Sequence, residues 1–236
     1  MGYPIACQAC VDAGTGAQFV HGLLSLRTRP VRGTNPLIML IGQDPTLSSG
    51  LAQTALCMGK DEEHPLRDWI VSQILKPNLI PQKFIYATNA VKCTFPGNRT
   101  PSHIAHDAGR DPFEVLWPFF SNCKKHLVSE IEMIRPKIIV SFGQATHQLL
   151  VESFRWRAPL LLAKAFGQKF PAECGELQFT YIPCIHFKTW AACVANATPL
   201  QPVYRDLWPA FMDTLKAEVS TQRIPITQMA WENMAG

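Results

Sequence analysis

Four short apolar runs, each closed by a turn-forming or polar residue, constrain this chain more than any other feature. Leu37–Ile41 closes at Gly42, Phe84–Thr88 at Asn89, Lys137–Phe142 at Gly143 and Phe179–Ile185 at His186. Continuous apolar runs of this length read as strands covered on both faces. Helical spacing follows or separates them: Pro65–Leu75 (Leu66, Trp69, Ile70, Ile74), Phe113–Ile134, Gln144–Glu152 and Pro202–Ala217. Strands alternating with helices predict an α/β fold, an α/β/α sandwich around a central four-stranded, mostly parallel twisted sheet. Ligands of such sheets bind beyond the carboxyl ends of the strands. Gln43-Asp44, Asn89 and His186 are therefore expected on one rim.

A chain of 236 residues, 47% hydrophobic and 17% charged, is sized and composed for one globular domain. The reading is a single domain over 1–236. Its net charge of +4 is compatible with a polyanionic partner and too mild to demonstrate one. No apolar run is long enough to span a bilayer, and no basic region precedes an apolar stretch at the start. The expectation is a cytoplasmic monomer without membrane contact.

Eight cysteines in such a chain need a role other than disulfides. Cys7 and Cys10 form a C-x-x-C pair, and Cys93 and Cys123 stand near segment boundaries. Cys57, Cys174, Cys184 and Cys193 read as small apolar core residues. From Thr94 to Pro112 the chain is rich in Pro, Gly, Asn, His and Asp without a period, which predicts a long loop.

The rim residues fit one chemistry. Hydrolysis of an N-glycosidic bond to a pyrimidine passes through an oxocarbenium-like sugar and a departing base that gathers negative charge. A carboxylate can stabilise that sugar and orient water, and Asp44 is the candidate. A histidine can donate to the base's O2, and His186 is the candidate. A carboxamide matches uracil's O4 and N3–H and mismatches cytosine's amino group, and Asn89 is the candidate. Taken alone, each has a plainer explanation: an Asp-Pro turn, a strand-end hydrogen bonder, a half-buried histidine. Their joint placement at successive strand ends favours the site.

On these residues the sequence resembles the uracil-DNA glycosylase superfamily over nearly its whole length. Gly42-Gln43-Asp44-Pro45 resembles the water-activating motif of the widespread bacterial and eukaryotic enzymes. Ala87-Thr88-Asn89-Ala90-Val91-Lys92-Cys93 is similar to the uracil-reading strand of the iron–sulfur branch, as is Arg135–Val140 followed by Phe142-Gly143. The resemblance implies a [4Fe–4S] cluster on Cys7, Cys10, Cys93 and Cys123, within an iron–sulfur subregion at 1–12 and 93–123. Read from the residues alone, four thiolates suit structural zinc equally well. The implied activity is monofunctional excision of uracil from single- or double-stranded DNA, with the Gln43 backbone N–H helping to hold O2.

Departures from the family pattern mark where the pocket differs. Thr46 stands where the widespread enzymes place a tyrosine that excludes thymine. Cys57, with Met58 beside it, stands where an aromatic is expected to stack on the base. His186-Phe187-Lys188-Thr189-Trp190 replaces the family's His-Pro-Ser segment. Lys188 and Arg99 are candidate phosphate contacts, and Trp190 is either a wedge or a packing residue. The rival readings are a binder of uracil-containing or abasic DNA with slow or no turnover, a redox protein built on the cysteines, and a zinc-stapled binding module.

Overall fold

The computed structural model describes residues 31–44, 55–59, 63–92, 105, 107–195 and 201–224. Its organising element is a six-stranded sheet, β1 (Val31–Arg32), β2 (Ile38–Gly42), β3 (Ile85–Asn89), β4 (Ile138–Phe142), β5 (Phe170–Cys174) and β6 (Leu177–Cys184), in the order β1-β3-β2-β4-β6-β5. The four central strands run parallel, and β1 and β5 are antiparallel edges. The four expected strands form the parallel centre, so the sheet is larger than the four strands expected. The added pair carries little apolar pattern: β1 is two residues long, and β5 contains Pro171 and Glu173 as an edge strand can.

β2, β3 and β4 are buried at every position, which explains their unbroken apolar composition. Successive side chains still alternate between faces. Met39, Ile41, Tyr86, Ile139 and Tyr181 join one core with Phe120, Leu127, Ile131, Leu149 and Leu150. Ile38, Leu40, Ile85, Val140 and Ile182 join a second core with Ile70, Ile74, Phe211, Leu215 and Val219. The sheet is thus the middle layer of three.

Helix α1 (Pro65–Trp69) begins on His64, whose Nδ1 accepts the Leu66 N–H, and continues as a π-helical stretch, Ile70–Leu75. Helix α2 (Pro112–Ile134) is capped by Asp111, which accepts from the Phe113 N–H, and stops at Arg135 in the left-handed region before Pro136. Helix α3 (Gln144–Phe154) shares its face of the sheet with α2. Helices α4 (Leu162–Ala165), α5 (Phe187–Val194) and α6 (Gln201–Thr221) contribute to the second core. Among the described residues, no helix is long and apolar enough to cross a membrane.

Candidate active site

The parallel register brings the ends of β2, β3, β4 and β6 to one rim. Gly42 pairs with Asn89, and the ladder continues past the strands, with Ala90 N–H donating to Gly42 O (2.8 Å) and Val91 N–H to Gln43 O (2.9 Å). The turn bearing Asp44 is thereby stitched to the turn after Asn89. On the other side, Gly143 N–H donates to Cys184 O (2.8 Å), and a Cβ built on Gly143 would lie 3.5 Å from His186 Cβ. Gly143 has φ +90°, a conformation that its lack of a side chain permits.

Gly42 is required for a second reason. A Cβ there would lie 2.5 Å from both Asn89 Oδ1 and Leu56 Cδ2. The carboxamide therefore lies directly against the backbone that carries the acid. Leu56 was not expected in the site: its neighbours Cys57 and Met58 were. All three are buried, and Met58 packs into the second core. Leu56 and Cys57 both have positive φ, at 56° and 54°. Two successive non-glycine residues in the left-handed region are strained, and such strain gathers at sites where position matters. Nothing in the composition of Ala55-Leu56-Cys57 announces it.

Burial pushes the Asp44 carboxyl up to about 7, against the opposing effect of a hydrogen bond from Gln43 Nε2 to Asp44 Oδ1 (2.9 Å). Burial and then the nearby Lys188 charge push His186 down to about 4. The ring's Nδ1 accepts the Lys188 N–H at 3.3 Å. A neutral imidazole whose Nδ1 accepts must carry its proton on Nε2. His186 is thus a neutral Nε2–H donor at the first turn of α5.

Lys188 is exposed, where it can meet an anion. Trp190 is part-buried, its ring 4.3 Å from that of Trp208 on α6, so it is engaged with the body rather than standing clear as a wedge. Cys123 is buried on α2, and its Sγ accepts the N–H of Lys92, the residue before Cys93 in sequence, at 3.4 Å. Cys174 and Cys184 are buried, as expected of core residues. Thr46, Arg99, Cys7, Cys10 and Cys93 lie outside the described residues.

An α/β protein that collects an acid, a carboxamide and a neutral imidazole at the carboxyl rim of a parallel sheet is of the class that binds and transforms a ligand there. The family model of the uracil DNA glycosylase superfamily matches residues 31–208, and the chain belongs to that superfamily. Membership places it among the DNA glycosylases, hydrolases of DNA repair. A search of curated proteins found no match.

Proposed function

We propose that this chain is a monofunctional uracil-DNA glycosylase. The observation that carries the reading is the contact of Asn89 with Gly42, which sets a base-reading carboxamide against the strand that presents Asp44. Asn89 pairs with O4 and N3–H of a flipped uracil. The bond from the sugar's C1′ to the base's N1 breaks, and its electron pair leaves with the base. His186 Nε2–H donates to O2, where the charge collects, and the Gln43 N–H assists. Asp44, as carboxylate, stabilises the sugar cation, orients water to C1′ and takes up the proton that the water loses. The products are uracil and an abasic site.

Neutral His186 suits this role, because a neutral donor stabilises the uracil anion without handing over a whole proton. Lys188 and Arg99 neutralise phosphates of the strand. Thr46, Cys57 and Met58 are proposed to border the base, with Leu56 added from its contact with Gly42. Cys7, Cys10, Cys93 and Cys123 are proposed to hold a [4Fe–4S] cluster. The sulfur of Cys123, buried and accepting a backbone N–H beside the position of Cys93 in sequence, fits a thiolate ligand. The cluster's work is structural, pinning the N-terminal segment and the loop that follows Lys92. A visible absorbance band in the purified protein would separate it from zinc, which is colourless.

Single-turnover cleavage of a uracil-containing oligonucleotide, wild type against Asp44→Asn, tests the activity. The wild type is expected to leave an alkali-labile site and the variant to lose at least 100-fold in rate, about 3 kcal/mol of transition-state stabilisation. A wild type that binds but leaves no such site makes the chain a binder of uracil-containing DNA instead.

A further inference from the structure

The chain between α3 and α4 has a feature that the excision chemistry does not use. Trp156 belongs to the core on the α2/α3 face, whereas Leu162 belongs to the core on the opposite face. The six residues leading to Leu162 therefore pass from one side of the sheet to the other. The level of the crossing is fixed by Gln144, the first residue of α3, which follows Gly143 at the carboxyl end of β4. Gln144 Nε2 donates to Leu160 O (2.9 Å), and its Oε1 accepts the Leu162 N–H (2.7 Å). The crossing is made at the rim that carries His186.

Further hydrogen bonds hold this turn. His147 Nε2 bonds to Pro159 O (2.7 Å), and Leu161 O accepts from the Lys164 and Ala165 N–H groups. Its three successive carbonyls from Pro159 to Leu161 are thus all taken, yet Leu160 is 45% exposed and Leu161 57%. Two large apolar side chains on a fixed turn face solvent where a DNA glycosylase must meet its strand. Lys164, one turn on, is exposed, as is Lys188 beside His186. Apolar tips on a rim that also presents exposed lysines match the chemistry of a nucleic-acid duplex, with a base stack inside and phosphates outside.

We propose that Leu160 and Leu161 form a wedge against duplex DNA, holding open the stack beside the extruded nucleotide. Trp190, engaged with Trp208, leaves that role to be filled. Rigid presentation matters because a backbone already held before binding loses little entropy on insertion. The inference rests on the proposed action at a flipped base but concerns a different surface, and so it can be tested without excision.

The test measures fluorescence anisotropy of the full chain with a duplex and with a single strand of the same sequence. Each carries one tetrahydrofuran abasic analogue. Leu160→Ser/Leu161→Ser is expected to weaken duplex binding roughly tenfold and to lower the duplex-to-single-strand affinity ratio by about the same factor. Leu161→Met alone should keep most of that ratio, since it retains an apolar tip. Met133→Ser, an exposed apolar position near the far end of α2, should leave it unchanged. Equal losses on both DNAs, or no loss on the duplex, would overturn the proposal. Because the readout needs no bond cleavage, a failure to release uracil counts against the proposed activity alone.

Discussion

Lys92 Nζ lies 2.8 Å from Glu130 Oε2, with the two side chains only 10% and 6% exposed, and it also donates to Thr88 Oγ1 at 2.7 Å. The pair joins the turn after β3 to the C-terminal part of α2, the helix that carries Cys123. Removing one partner would leave a charge buried. Glu130→Ala is therefore expected to cost about 3 kcal/mol in urea unfolding. Replacing both, as Lys92→Met/Glu130→Leu, should cost less than the single change. A smaller loss in the single variant than in the double would refute this account.

The two titrating groups of the site predict the shape of the pH profile. Asp44, raised to about 7, must be ionised to work, so kcat/KM on uracil-containing DNA should rise as pH increases through about 7 and then level off. His186, lowered to about 4, stays neutral over that range and should add no limb of its own. A profile flat from pH 5 to 9 would contradict the Asp44 assignment, and a second limb within that range would contradict that of His186.

Stability should move the other way. Folded Asp44 keeps its proton up to about 7, whereas the unfolded chain loses it near 3.8. The fold is favoured by this group below pH 3.8, and the advantage is lost as pH rises through 7. Asp44→Asn should match the wild type in stability near pH 4. At pH 8 it should exceed it by a few kcal/mol, on the order of 4 at most. Chemical denaturation at the two pH values checks it, and a variant less stable at pH 8 would defeat the prediction.

Gly42→Ala places a methyl 2.5 Å from Asn89 Oδ1 and from Leu56 Cδ2. Both are side-chain atoms that can swing away, so the expected cost falls more on function than on folding. We expect a stability loss of about 1–3 kcal/mol with a larger proportional fall in kcat/KM. An alanine variant with wild-type activity would show that Asn89 need not lie where it does.

Tyr181 closes a buried chain of hydrogen bonds. Since Pro159 O can only accept, the proton of neutral His147 sits on Nε2, and Nδ1 accepts the Tyr181 hydroxyl at 2.7 Å. The Tyr181 oxygen then accepts from Ser141 at 2.6 Å. Tyr181→Phe should cost about 1–3 kcal/mol, because it strands two buried polar groups. It should also raise hydrogen exchange around Pro159–Leu162, and protection unchanged there would disconnect the chain from the turn.

Much of the frame was legible in the sequence because the central strands are covered on both faces and had to be apolar throughout. β5 was not legible, because an edge strand can tolerate Pro171 and Glu173. Helix α5 was missed for another reason. Its first turn is capped by the ring of His186, outside the usual set of capping residues, so no start signal stood before it. In the site, Asp44, Asn89 and His186 could be read from their places after strands. Leu56 could not, since its importance comes from a left-handed backbone that its own side chain disfavours. Leu160 and Leu161 are apolar neighbours of a buried leucine, and composition alone would have put them inside.

The closeness of Asn89 and Leu56 to Gly42 also bears on how such a site can diverge. The strand that leads to Asp44 and the strand that ends at Asn89 touch through a position with no room for a side chain. Neither can be altered freely while the other stays fixed. A relative with a different base preference should therefore show linked replacements at positions 42, 56 and 89, arriving together rather than singly.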